Sequence, residues 1–336
     1  MPATALRLVS PSGQSSEDPA LRPTGFDDYI GQRELIENLK TSVRAARRGG
    51  WQLDHTLFTG PKGLGKTSIC QVVAAELGAR LRVTSAPAIT HKGQLATLLT
   101  SLQDGDVLFI DEIHRLAVPL QETLYTAMED RVLDMAAGTK VIRLPLQKFT
   151  LLGATTHAGL LSAPLRDRFG FCYQLTLYSV ADLTTIVRRS ADKLGVAIDA
   201  TGAAEIARRS RGTPRLANRL LRRVRDYVIG TDTRGGLLPK HMVVGEALAI
   251  VALDRLGIDG LGLEALDRAY LSFVGQSKAA VGVEAIAVAL SEQRQTIEEA
   301  IEPFLVQLGF VTRTRKGRVI TEAGTRHLQA PAGGTA

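Results

Sequence analysis

Cysteine is nearly absent: Cys70 and Cys172 are the only two in 336 residues. They share no ligand spacing with each other or with a histidine, which argues against a disulfide framework or a Cys/His metal module. Cys70 lies on a helical pattern and Cys172 in an apolar run, so both read as packed thiols suited to a reducing cytoplasm. Long hydrophobic runs are missing too. No stretch approaches the ~18 apolar residues of a membrane span, and the N-terminus lacks a positive-then-apolar leader. A cytoplasmic protein with no membrane partner is expected. Neither sign of charge dominates: the net charge is +7, with 19 Lys/Arg against 17 Asp/Glu over residues 1–178 and 22 against 17 over residues 179–336. That mild basic bias permits a nucleic-acid partner without establishing one.

What is present is a chain of 45% hydrophobic and 22% charged residues, long enough for two or three domains with ample cores. It is organised around Gly60-Pro61-Lys62-Gly63-Leu64-Gly65-Lys66-Thr67, which fits the G-x-x-x-x-G-K-[ST] phosphate loop at every fixed position. Thr56–Thr59 before it reads as a short buried strand. After it, Ile69, Val72, Val73 and Leu77 recur at helical spacing, and Gly78 supplies a stop. The glycines let backbone N–H groups turn inward around phosphate oxygens, at a helix N-terminus that favours negative charge. Lys66 is expected on the β/γ-phosphates and the Thr67 hydroxyl on Mg²⁺.

Further strands are expected over Leu81–Ala86, Val107–Ile110, Phe149–Ala154 and Cys172–Leu177, alternating with helical patterns. That order predicts a parallel α/β sheet with its ligand at the strand C-terminal ends. Asp111-Glu112 closes one strand. Asp111 suits Mg²⁺, and Glu112 suits orienting and deprotonating an attacking water. Thr155-Thr156 closes another, where either hydroxyl can meet the γ-phosphate or that water; taken alone, such a pair is more often a helix cap. Leu165-Arg166-Asp167-Arg168-Phe169-Gly170 sets two arginines around one carboxylate. On spacing alone this is equally a surface pair or an arginine finger, Arg168, reaching a neighbouring subunit's nucleotide.

From Ala181 onward the pattern is helical. Gly212-Thr213-Pro214-Arg215 starts a helix, with Thr213 as N-cap and Pro214 at the first position. Arg215 then opposes the helix dipole, a misfit resolved if it faces an anion such as the γ-phosphate. Gly230–Lys240 is a turn-rich linker and Gly257–Gly262 a loop. Glu284–Leu290 and Gln295–Leu308 read as two helices, followed by strands flanking the turn Thr314–Gly317. Helix–turn–helix plus a basic hairpin is a winged-helix pattern. Glu298, Glu299 and Glu302 on the second helix would repel phosphates, which leaves Arg313, Arg315, Lys316 and Arg318 of the wing, helped by Arg294, as the DNA contact. A winged helix used only for protein contact is the competing reading.

Together these residues resemble the RuvB family, AAA+ motors of Holliday-junction branch migration, from about Leu21 to Gly324. The specific parts are Gly60–Ser68, Leu108–Leu116, Met128-Glu129-Asp130, Gly153–Thr156, Ala163–Gly170, Arg211–Arg215 continuing to Tyr227, and the wing. The resemblance implies an AAA+ P-loop core with a parallel sheet, a helical lid and a C-terminal winged-helix domain. It divides the chain into a mobile stretch over 1–20, a large domain over 21–178, a small helical domain over 179–250 and a head over 251–336. It implies an ATPase using ATP and Mg²⁺, a homohexameric ring around double-stranded DNA at a Holliday junction, and RuvA and RuvC as partners. By position in the matching motifs, Leu21, Arg22 and Tyr178 would lie near adenine. Gly63, Gly65, Lys66, Thr67 and Ser68 would hold phosphates and Mg²⁺, and Glu129, Asp130 and Arg131 match a segment at the nucleotide interface. Lys66, Asp111, Glu112 and Thr155 would act with Arg168 as the finger in trans and Arg215 as a second sensor. Arg294, Arg313 and Arg318 match DNA-contacting positions.

Three departures stand out. Pro61-Lys62 stands where the family usually has two prolines, Asp134–Phe149 is shorter than the family's RuvA-docking hairpin, and Val274–Ala280 replaces a compact Gly-Gly-Pro turn. Two other classes share some of these parts: a replication initiator acting as an ATP-gated DNA-binding switch, and a clamp-loader-like assembly factor that would not need the basic wing.

Overall fold

The computed structural model describes residues 19–137, 140–231, 243–277 and 279–329. Most of the N-terminal stretch (1–18), most of the 230–240 linker and Lys278 of the 274–280 segment lie outside the described residues.

The large domain threads α1 (Arg33–Gly49), β1 (Thr56–Thr59), α2 (Lys66–Leu77), β2 (Leu81–Ser85), α3 (Lys92–Thr100), β3 (Asp106–Asp111) and α4 (Val118–Asp130). A separate two-stranded hairpin follows, β4 (Val132–Ala137) with β5 (Lys140–Pro145), then β6 (Phe149–Thr155), α5 (Ala163–Arg166) and β7 (Phe171–Gln174). The main sheet runs β2-β3-β6-β1-β7, with every neighbouring pair parallel. The three inner strands are the uninterrupted apolar runs, buried on both faces as parallel strands between helices must be. One face packs on α1 and α2 through Phe58, Phe109, Leu152 and Val73; the other packs on α3 and α4 through Leu57, Leu108, Leu151 and Leu124. β7 is an edge strand with alternating exposure, so Cys172 is exposed instead of packed, while Cys70 is buried as expected. Gly78 closes α2 in the left-handed conformation at φ 67°, the stop expected from the sequence.

The lid consists of α6 (Val180–Leu194), α7 (Ala200–Arg208), α8 (Pro214–Thr231) and α9 (Glu246–Arg255). Ser179 and Asp199 cap α6 and α7 by accepting the N–H of Asp182 and Gly202. The domain limit expected at residue 250 falls inside α9, whose Ala249, Ala252 and Leu253 pack with α7 and α8. The head has its own core, beginning at Leu263.

The head comprises α10 (Ala265–Gln276), α11 (Val283–Leu290), α12 (Arg294–Thr296), a π-helical turn (Ile297–Ile301), α13 (Glu302–Gln307), the hairpin β8 (Val311–Thr314) with β9 (Gly317–Ile320), and α14 (Glu322–Gln329). The single helix expected over Gln295–Leu308 is thus broken by a wider turn. Pro303 is the local cause: it brings no N–H to the ladder, and its ring crowds the preceding turn.

Glu302 ties this helix to the wing from a fully buried position. It accepts from Tyr270 Oη at 2.9 Å, Arg313 Nε at 2.8 Å and Arg318 Nε at 2.7 Å. Burial, then the Glu302 charge, pushes the Tyr270 phenol far up, so it stays a donor. Glu302→Ala strips three donors of one acceptor, and the head should lose about 3 kcal/mol. Hydrogen-exchange protection in α10 and the wing reads that loss; unchanged protection would show that the cluster does not hold the head together.

Candidate functional site: a nucleotide cleft

Strand β1 delivers its chain into Gly60–Gly65, where Gly60, Gly63 and Gly65 take φ values of 134°, 85° and 95°. The loop is held from outside. The Gly60 N–H donates to the Thr155 carbonyl at 3.2 Å, and the Gly63 carbonyl accepts the Arg215 N–H at 3.3 Å. A Cβ on Gly60 would sit 2.7 Å from the Leu175 carbonyl, so glycine is required there for space as well as torsion. Gly65 precedes α2 and offers no side-chain cap, so the first-turn N–H groups face the loop's interior. The Lys66 Nζ donates to the Gly60 and Pro61 carbonyls at 2.7 and 2.8 Å. Burial, with only neutral acceptors bound, lowers its pKa to about 8.

Asp111 ends β3 beside this lysine, and burial pushes its carboxyl up. Its Oδ1 accepts the Glu112 N–H at 2.9 Å. Glu112 adopts φ 49°, rare for a residue with a side chain, and its carboxylate pairs with Arg115 at 2.9 Å. The two threonines behave differently. Thr155 is fully buried on the side of β6 where Gly153 faces Leu57, Ile113 and Phe169, opposite the α2 side. Its Oγ1 lies 2.9 Å from His114 Nδ1 and accepts the His157 N–H at 2.9 Å. Thr156 follows outside the strand, with its Oγ1 2.8 Å from His157 Nδ1. His114 and His157 themselves face each other at 5.3 Å. Neither histidine was expected from the sequence, because nothing in the spacing of 111–116 and 153–157 says that the two loops touch.

A cleft opens between the phosphate loop, the segment 21–30 and the lid. Leu21, Arg22, Gly63, Gly65, Ser68, Tyr178 and Arg215 line it. The Tyr178 hydroxyl donates to the Leu64 carbonyl at 3.3 Å, and its ring lies against Gly31, where a Cβ would approach to 2.5 Å. Tyr29 and Ile30 also line the cleft, as do Arg189 and Asn218 from regular lid helices, where no local pattern marks them. Arg189 holds the covering segment by donating to the Asp28 carbonyl, to Asp28 Oδ1 at 3.0 Å and to the Leu21 carbonyl at 3.4 Å. α8 begins at Pro214, with Thr213 at the N-cap position; the Thr213 hydroxyl donates to the Ser210 carbonyl at 3.3 Å, and its carbonyl accepts the Ala217 N–H. The phosphate loop's Gly63 carbonyl also binds that helix end.

Other expected residues stand apart from the cleft. Glu129, Asp130 and Arg131 end α4, and Arg168 pairs with Glu129 at 2.5 Å; none of them lines the cleft. In the head, Arg294 binds Glu284 and Glu298, each at 3.1 Å, while Arg313 and Arg318 are held by Glu302. The acidic residues read as repelling phosphate are therefore the partners of these arginines. Arg318 keeps only 15% of its side chain exposed. Glu299 reaches the other way, to Lys62 of the phosphate loop at 2.7 Å.

The lowered Lys66 pKa has a measurable consequence. Its folded value of about 8 lies below the ordinary 10.5, so the charged form that phosphate requires is present below that pH and lost as pH rises through it. Affinity for a fluorescent ADP analogue should fall roughly tenfold between pH 7 and pH 9. A flat Kd over that range would mean that Lys66 is not the phosphate's cation.

Three family models match consecutive parts of the chain: the Holliday junction DNA helicase RuvB P-loop domain over residues 21–175, the RuvB AAA lid domain over 178–259 and the RuvB C-terminal winged helix domain over 260–329. The chain is 49% identical over 329 residues to the Holliday junction branch migration complex subunit RuvB of Paramagnetospirillum magneticum, covering 96% of this chain and 92% of that one. The solved Thermotoga maritima RuvB Holliday junction branch migration motor superposes with a TM-score of 0.81 at 40% identity, covering 93% of this chain and 99% of that one. An alanine-to-serine mutant of the same protein gives 0.83 at 40% identity, with the same coverage. With a P-loop core, a lid and a winged-helix head all matched in order, this chain belongs to the RuvB family.

Proposed function

We propose that the protein is an ATP-driven motor that moves Holliday junctions along double-stranded DNA in recombination and repair. The observation that carries this reading is the cleft itself. It joins a phosphate loop to a lid arginine, Arg215, whose backbone is bonded to the loop, and the Asp111-Glu112 turn lies beside the loop's Lys66. Phosphates would lie along Gly63–Ser68, with adenine between Leu21, Arg22 and Tyr178. Mg²⁺ would be held by Thr67 and Asp111 together with the nucleotide; one hydroxyl and one carboxylate suit an ion that keeps most of its ligands as water and phosphate. When bound, the ion screens charge on the phosphates. Glu112 orients and deprotonates the attacking water once it leaves Arg115, and Thr155 supports the strand end beside it.

Arg168, with Glu129, Asp130 and Arg131, lies away from its own chain's cleft, which supports a finger acting on the next subunit of a homohexamer. The partition into a large domain over 21–178, a lid and a head fits the separate head core. DNA would lie along the wing near Arg294, Arg313 and Arg318. RuvA would dock on the β4–β5 hairpin, where Met135 and Ile142 pair across the strands and are both exposed. RuvC as a further partner, a cytoplasmic location and a place in the SOS response follow from the family. No helix among the described residues is long and apolar enough to cross a membrane.

The test is branch migration of a synthetic four-way junction with ATP, with and without RuvA, beside DNA-stimulated ATP turnover. The motor sustains turnover and migrates the junction; turnover without migration in either condition overturns the reading in favour of an ATP-gated switch. Arg168→Ala should bind ATP normally and hydrolyse it about 10³-fold more slowly. Hydrolysis at the wild-type rate would sink the in-trans assignment.

A further inference from the structure

The hydrolytic turn and the end of β6 meet at a side-chain hydrogen bond whose donor and acceptor can be assigned. Thr155 Oγ1 has two neighbours among the described hydrogen bonds: the His157 N–H, which can only donate to it, and His114 Nδ1 at 2.9 Å. Thr155 is fully buried, so its own O–H needs an acceptor. Nδ1 is the one within reach. If Nδ1 carried a proton, Thr155 would accept twice and leave its hydroxyl hydrogen unpaired in the core, at a cost of about 1–3 kcal/mol. Satisfying every group fixes His114 as the neutral tautomer protonated on Nε2. Burial and the facing His157 both push its pKa down, in keeping with a neutral ring.

Thr155 is also where three loops converge. Its carbonyl accepts the Gly60 N–H that opens the phosphate loop, and its side chain binds the residue that follows Ile113. His114 lies two residues beyond Glu112, in a tight 3₁₀ turn that leaves little slack. β3 and β6 are direct neighbours, with Ile110 opposite Gly153, so this contact crosses from one strand end to the next. Glu112 needs such support, since its own φ of 49° is not self-sustaining.

We propose that His114 is a positioning residue for ATP hydrolysis: its Nδ1 accepts the hydrogen bond of the Thr155 hydroxyl and so braces the Asp111-Glu112 turn against the end of β6 and the phosphate loop. It acts by holding Glu112 at the distance and angle from which a water can be aimed at the γ-phosphate. This rests on the ATPase reading, which Lys66→Ala tests separately through loss of nucleotide binding.

The experiment compares three substitutions in the full chain with ATP, Mg²⁺ and DNA. An asparagine Oδ1 stands where the histidine Nδ1 stands, whereas a glutamine Oε1 stands where Nε2 stands. His114→Asn should therefore keep kcat within about threefold of wild type, while His114→Gln and His114→Ala lose roughly 10- to 100-fold. Nucleotide Kd should move less than about twofold in all three, because no ground-state contact is removed. Thr155→Val should reproduce the loss, and adding His114→Ala to it should cost nothing further. Should His114→Ala fold poorly, the Asn and Gln proteins still decide the matter. Equal kcat for Asn and Gln, wild-type turnover by His114→Ala, or additive losses in the double variant would each overturn the proposal.

Discussion

A buried ammonium whose hydrogen bonds go to neutral carbonyls, beside an Asp111 carboxyl that burial pushes up, is the constraint on which this structure turns. Lys66 sits among backbone carbonyls, and those carbonyls belong to a glycine-rich loop whose torsions are left-handed at Gly60, Gly63 and Gly65. The loop is therefore held from outside by the Thr155 carbonyl, the Arg215 N–H and the Tyr178 hydroxyl. Each comes from a different element: the sheet, the lid helix α8 and the segment joining large domain to lid. Phosphate supplies negative charge and strengthens every one of these contacts at once. A nucleotide is thus the completing piece of the fold's centre, and the elements around it have reason to respond when the charge at Lys66 changes.

That response has a physical route to the head. Lys62, on the outer side of the same loop, pairs with Glu299 in the π-helical turn. Arg211, four residues before Arg215, binds Asp267 at 2.5 Å and lies over the Phe304 ring at 4.8 Å. The helix that would read bases in a DNA-facing winged helix is here held at its middle turn by Lys62 and near its C-terminal end by Arg211. Its acidic residues make sense in that light: Glu298 and Glu302 face the wing, and Glu299 faces the loop. The lysine in place of a second proline is what makes the third of these contacts available. Of these ion pairs, Lys62–Glu299 is partly exposed and individually weak, whereas Arg211–Asp267 is largely buried.

Much of this was legible in the sequence. The three inner strands announced themselves as apolar runs, the loop as spaced glycines, and the wing as a basic turn between short strands. Those signals are local, and local physics produces them. The misses are non-local or hidden by regularity. Cys172 was misjudged because an edge strand and an inner strand share composition and differ only in neighbours. Pro303 was visible, yet its widening of the helix depends on what the freed turn can pack against. Arg189, Asn218 and His114 sit in segments whose periodicity says helix or turn and nothing more. They become functional candidates only once two distant stretches are in contact.

The same non-locality changes what the wing can offer to DNA on the motor reading. Arg294, Arg313 and Arg318 face Glu298 and Glu302, so most of their charge is already balanced. Glu302 is buried and cannot turn away, which fixes the guanidinium planes at the cost of their net field. A phosphate would then meet well-oriented donors whose charge is partly cancelled, beside the exposed Arg315 and Lys316 at the hairpin tip. Orientation from the tied arginines and attraction from the exposed tip are separable contributions. A motor that must hold a duplex while letting it slide is better served by that division than by a fully charged face, because deep electrostatic wells would pin the backbone between steps.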